Sequence, residues 1–187
     1  MSAEKKLMPT ASQTVGPFFT LGLQYMVPGG AAAAKGARGG ITLYGKVLDR
    51  DGAPVPDALI EFWSATEGSK ERNAMSGGQG IPDGFRRAAT NADGEYSVRL
   101  GRPGGGNLDD ERKAAPHLLV LVFMRGLLRH LISRVYFAGE EQNESDAVLQ
   151  RIPAERRATL EAKREDGGQF RWDIRLQGPG ETVFFAW

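Results

Sequence analysis

Two histidines, four tyrosines and no cysteine are what this 187-residue chain offers for a transition-metal site. His117 and His130 stand thirteen positions apart, whereas a metal centre needs several imidazole, thiolate or phenolate groups converging on one point. No dedicated metal cage is expected. His117 lies between Pro116 and an apolar run and reads as a hydrogen-bonded core residue, and His130, beside Arg129, reads as packing. Tyr44 and Tyr96 fall in alternating runs where a packed aromatic is the ordinary explanation. Asp173 and Glu181 could be offered as a carboxylate pair for acid-base work, but no spacing brings them to a working separation. Gly77-Gly78 and Gly104-Gly105-Gly106 lack the lysine and hydroxyl of a phosphate loop and read as plain loops. Arg134 carries a planar fork suited to a carboxylate, either a ligand's or that of an acidic neighbour at a sheet edge.

These side chains must be positioned by strands. Short runs of alternating apolar residues, punctuated by Gly, Asp and Pro, favour a mainly β sandwich or barrel with long loops. The clearest are Ile41 to Leu48, Ala58 to Trp63, Glu95 to Leu100 and Gln169 to Leu176. In the last, Phe170, Trp172, Ile174 and Leu176 face one way and Arg171, Asp173 and Arg175 the other. His117 to Phe123 is nearly all apolar and rich in valine and leucine, the pattern of a central strand buried on both faces. Leu128 to Phe137 is expected to follow as a strand, with His130, Ile132, Arg134 and Tyr136 on one side. One peripheral helix is predicted in the C-terminal half, from Pro153 at its first position through Ala154 to Lys163, closed by Gly167-Gly168.

The length allows one domain that buries roughly 70% of its unfolded surface. Residues 1–40 read as an N-terminal arm ending in a Gly/Ala-rich loop, and 41–187 as the β-sandwich domain. Lys and Arg number 24 against 23 Asp and Glu, a formal charge of +1 with the signs interspersed, which argues against nucleic acid or an anionic membrane as partner. A polar start, no membrane-length apolar run and zero cysteines lead us to expect a cytoplasmic protein.

Several ordered segments go beyond a generic sandwich: Thr10 to Phe19 with its Gly16-Pro17 bend, Leu59-Ile60-Glu61-Phe62-Trp63, Ala115-Pro116-His117, Arg134-Val135-Tyr136-Phe137, and Phe170 to Trp187. Together they resemble the intradiol ring-cleavage dioxygenases. The resemblance implies a β-sandwich and, in catalytic chains, a ferric ion held by two tyrosines and two histidines. That ion is chelated by a catechol whose ring is opened by dioxygen to a muconate. Carried over by position, the first histidine ligand falls on His117 and the second on Leu119. The tyrosine positions fall near Ser69-Lys70-Glu71-Arg72 and in Gly101 to Asn107, neither of which contains tyrosine.

Three of the four ligand positions thus lack the family's ligand. In the heteromeric enzymes of this family an alpha chain keeps the fold without the iron and pairs with a beta chain that carries it. The resemblance therefore implies no catalytic or metal-binding residue in this chain alone and Fe(III) on a partner beta subunit. It also implies that Thr14, Gly16, Pro17 and Arg134 help wall the partner's substrate site. Glycine lets backbone approach a flat ring, and proline stiffens the bend. Two alternatives remain open. One is a non-catalytic prealbumin-like or carboxypeptidase-regulatory-like module, from the turn-and-strand pattern of Gly45 to Ala58 and Thr90 to Tyr96; the other is a homomeric dioxygenase with an unusual ligand set.

Overall fold

The computed structural model describes residues 8–16, 19, 40–64, 84–107 and 113–186. Their strands are β1 (Ile41–Leu48), β2 (Leu59–Ser64), β3 (Phe85–Ala89), β4 (Glu95–Leu100), β5 (Gly106–Asn107), β6 (Lys113–Ala114), β7 (His117–Phe123), β8 (Leu131–Phe137), β9 (Glu161–Arg164), β10 (Gln169–Arg171) and β11 (Ile174–Arg175), with one short helix, α1 (Ala154–Arg157). Alternation builds most of them. In β1 every second residue from Ile41 to Val47 is buried, and in β4 Tyr96, Val98 and Leu100 are buried while Glu95, Ser97 and Arg99 are exposed.

The strands hydrogen-bond in the order β11-β1-β10-β9-β8-β7-β2-β3, with β4 antiparallel to β1. Two layers result, joined where β8 runs parallel to β9 through Tyr136–Glu161 and Phe137–Ala162. Leu43, Val47, Tyr96, Phe170 and Trp172 of one layer share a core with Ile60, Phe62, Val120, Val135 and Phe137 of the other. Rings bridge the layers: Phe62 and Tyr96 lie 5.8 Å apart, and Phe137 meets Phe170 edge-on at 5.0 Å. This is the expected mainly β sandwich, and β7 is central in its sheet between β2 and β8.

The run from Gln169 alternates as expected but is interrupted as a strand at Trp172-Asp173. There the Trp172 carbonyl approaches so closely that a Cβ on Gly45 would lie 1.8 Å from its oxygen. The Asp173 carboxylate replaces the missing ladder contact by accepting the Lys46 N–H at 3.0 Å. The buried Tyr96 hydroxyl donates to the Trp172 carbonyl at 2.6 Å. We expect Tyr96→Phe to lower stability by about 1–2 kcal/mol, because one buried hydrogen bond is lost with little change of volume; an unaltered urea midpoint would show that water replaces it.

Two expectations need correction. The helix extends only from Ala154 to Arg157, with a 3-10 turn over Ala158–Leu160, and residues 161–164 are strand β9 rather than helix. Leu160 and Ala162 are fully buried with a two-residue period, and β9 pairs with both β8 and β10, so tertiary pairing overrides helix propensity here. The helix itself buries none of its residues and is peripheral. The strand foreseen from Leu128 begins at Leu131, because residues 124–130 form a turn in which Gly126 has φ of +87°. Leu128 is exposed and His130 lies outside the strand. No helix among the described residues is long and apolar enough to cross a membrane.

Candidate functional site

Successive side chains of a strand point to opposite faces, so the residues of β2, β7 and β8 that do not enter the sandwich core line up on the sheet's other face, most plainly in β7, where buried and half-buried residues alternate throughout. Strand register sets Trp63 beside Leu119 and Leu119 beside Arg134, with His117 beside Tyr136 one pair further along. This face is partly covered by a second apolar cluster of Ala115, Tyr136, Leu149, Ile152 and Leu160, with Val183 and Phe185 packed against it. The C-terminal segment reaches it by following β8: the Phe185 N–H donates to the Ile132 carbonyl at 2.8 Å, and the Ser133 hydroxyl to the Val183 carbonyl at 2.8 Å.

Arg134 is half-buried on this face, and one of its guanidinium nitrogens lies 3.5 Å from the Tyr136 hydroxyl oxygen. The strand is internal to the sheet, and no carboxylate pairs with Arg134 among the described residues. An edge salt bridge is thereby removed as its explanation. The Tyr136 hydroxyl donates onward to the Asp146 carboxylate at 3.0 Å. Burial is the largest influence on the Tyr136 phenol and raises its pKa, with Arg134 opposing, so the phenol stays protonated and serves as donor to Asp146.

Asp146 is fully buried and also accepts the backbone N–H groups of Ala115 (2.9 Å), Val148 (2.9 Å) and Leu149 (2.8 Å). One carboxylate thus ties the strand carrying Arg134 to the 3-10 turn Leu149–Arg151. Sequence reasoning passed over Asp146. Its signal was an aspartate two and three residues before backbone donors that open a turn.

Arg134 borders a hollow of about 490 Å³ whose walls include Leu119, Val148, Ile152, Val183 and Phe185, with Arg151 and Arg156 also lining it. A neighbouring hollow of about 500 Å³ is lined by Gln13, Val15, Phe123, Leu128, His130 and Ile132, among others, and Phe185 and Ala186 border both. The N-terminal arm belongs to this second hollow. The Thr14 hydroxyl accepts the Gly126 N–H at 2.9 Å and lies 3.5 Å from the Met124 carbonyl, pinning the arm to the turn between β7 and β8. Gly16 is exposed, and a Cβ there would meet nothing within 4 Å. Pro17 lies outside the described residues. Gln13 and Val15, on either side of Thr14, and Arg134 therefore line adjacent hollows that share Phe185 and Ala186.

The remaining candidates have structural roles. His117 is half-buried, with Nδ1 2.7 Å from the Ala115 carbonyl and its ring 5.5 Å from that of Tyr136. Burial, the leading cause, lowers its pKa below the usual histidine value. Its contribution to stability is therefore complete above the ordinary pKa near 6.5 and is lost as pH falls from there toward the depressed folded value. Urea midpoints measured from pH 7.5 to 5 should decline in the wild type and decline less in His117→Phe; parallel curves would remove His117 as the source. The ring of His130 packs 5.2 Å from that of Phe123. Asp173 pairs with Arg171 at 3.0 Å and Glu181 with Arg156 at 3.8 Å, so each carboxylate is taken by its own arginine. Tyr44 is hydrogen-bonded to Glu165, and Tyr96 is core.

Residues 31–178 match the family model described as Dioxygenase. The chain belongs to the intradiol dioxygenase family. It is 42% identical over 202 residues to the protocatechuate 3,4-dioxygenase alpha chain of Burkholderia cepacia, covering 96% of this chain and 98% of that one. It is 26% identical over 155 residues to the beta chain of the same species' enzyme, covering 76% of this chain and 66% of that one. Among solved structures it resembles the dioxygenase domain of a dioxygenase carbohydrate-binding protein fusion from Streptomyces sp. SirexAA-E, with TM-score 0.58 and 26% identity over 78% of this chain and 84% of that one.

Intradiol dioxygenases depend on Fe(III), and the residues of this face do not fit that ion. Beside His117 on β7 the next residue facing the same way is Leu119, which has no lone pair to offer. The adjacent phenol, Tyr136, is committed to Asp146 and carries the Arg134 guanidinium, a charge that repels a cation. No group of three or more His, Cys, Asp or Glu residues able to hold a metal is found among the described residues.

Proposed function

We propose that this chain is the iron-free alpha subunit of a cytoplasmic protocatechuate 3,4-dioxygenase. A beta subunit carries the Fe(III), and the assembled enzyme cleaves protocatechuate with O2 between its hydroxylated carbons to 3-carboxy-cis,cis-muconate. What carries this reading is identity to an alpha chain along nearly the whole length, in a sequence with leucine where the second histidine ligand belongs. Both oxygen atoms of O2 enter the product as carboxylate, so no external reductant is required.

In this reading Thr14, Gly16, Pro17 and Arg134 wall the partner's substrate site. Thr14 fixes the arm on the β7–β8 turn, and the open space around Gly16 leaves room for close approach of a ring or of the partner's backbone. Arg134, with no carboxylate partner among the described residues, supplies its guanidinium for the substrate carboxylate. The experiment is metal analysis with visible spectroscopy. The chain purified alone should contain no stoichiometric iron and no tyrosinate-to-iron absorption, whereas chain co-purified with its partner should contain both and cleave protocatechuate. A coloured, active preparation of this chain by itself would reject the proposal.

A further inference from the structure

The hollow beside Arg134 has a second cation on its wall. Arg151, exposed on the 3-10 turn Leu149–Arg151, lines it, and no carboxylate pairs with Arg151 among the described residues. Arg156 is different: it donates to the Glu181 carbonyl at 3.1 Å and pairs with that residue's carboxylate. The nearby acid, Asp146, is buried, with its oxygens occupied by three N–H groups and the Tyr136 hydroxyl.

Two guanidinium groups with no carboxylate partner among the described residues therefore border a hollow whose walls are mainly apolar, Leu119, Val148, Ile152, Val183 and Phe185 among them. Low-dielectric walls concentrate such a field. A phosphate would set most of its hydrated oxygens against hydrocarbon, whereas a ring bearing one carboxylate places charge on the arginines and its flat face on the apolar wall. Asp146 holds both cations in place, through Tyr136 to Arg134 and through the Val148 and Leu149 N–H groups to the turn that carries Arg151.

We propose that Arg151 acts with Arg134 to recognise the carboxylate of a small aromatic acid in this hollow, and is thus a specificity-determining residue. This deepens the reading of Arg134 given above and rests on it. The probe is benzoate, titrated calorimetrically into the chain assembled with its iron-bearing partner; benzamide is the neutral control. Arg151→Gln should weaken benzoate by roughly five- to tenfold, the worth of one partly exposed charge-assisted contact, and leave benzamide unchanged. Lys163→Gln removes the same charge from an exposed site on β9 and should leave benzoate within about twofold, as screening predicts for a distant charge.

In turnover, Arg151→Gln should raise KM for a carboxylated catechol and not for catechol itself. Equal benzoate affinity in wild type and Arg151→Gln, or an equal loss for benzamide, would overturn the inference. The two claims separate cleanly: if Arg134→Ala impairs turnover while Arg151→Gln changes nothing, the subunit reading stands and this inference falls. If Arg151→Gln weakens benzoate while Arg134→Ala leaves turnover intact, the role assigned to Arg134 falls instead.

Discussion

Asp146→Ala is expected to destabilise the protein by about 4 kcal/mol, a large share of the roughly 5–15 kcal/mol margin of a typical domain. Asp146 is fully buried and accepts four hydrogen bonds, from Ala115, Val148, Leu149 and Tyr136. Alanine leaves all four donors without their acceptor and opens a small cavity, and each stranded donor costs about 1–3 kcal/mol, less where water enters. Asp146→Asn should lose about half as much, since one oxygen still accepts while the amide nitrogen opposes an N–H. Urea unfolding of the three proteins gives the comparison, and a loss under about 1 kcal/mol for alanine would mean that the network is not what joins the 3-10 turn to the sheet.

The second large effect is on turnover. Arg134→Ala should lower kcat/KM of the assembled enzyme for a carboxylated catechol by about 30- to 100-fold, the worth of a charge-assisted pair in a half-buried setting. Iron content should be unchanged, because in the proposed reading the metal is carried by the partner subunit. Catechol without a carboxylate should change by less than about threefold, since it makes no such pair. Steady-state kinetics on both substrates decides the matter: equal losses would assign Arg134 to packing of the interface, and no loss to the fold alone.

Much of this was legible before any coordinates. Two-residue alternation located β1 and β4 from end to end, because a strand with one buried face writes its burial directly into its residue order. The apolar run His117–Phe123 was correctly placed at the centre of a sheet, but only one of its faces is buried and the other is half-buried, not both buried as its apolar composition suggested. The family match likewise sets aside a generic binding module as the better description. Other elements were hidden for identifiable reasons. Glu161–Arg164 contains good helix formers, and what makes it a strand is pairing to β10 across the short turn at 165–168 and to β8, which is distant in sequence. The two-residue strands β5 and β6 are too short to carry a period.

Residue order alone shows leucine at position 119, where the family resemblance puts a second histidine ligand, and no tyrosine in Ser69 to Arg72 or Gly101 to Asn107, where it puts the tyrosines. Only the tertiary structure decided what the same face does instead. Arg134 lies on an internal strand with no carboxylate paired to it among the described residues, Asp146 becomes a hub because Ala115 and Tyr136 come from distant segments to join its own neighbours Val148 and Leu149, and Arg151 lines the same hollow as Arg134. Such groups are brought together by strand register and chain return, which fix distances between residues that the sequence keeps apart.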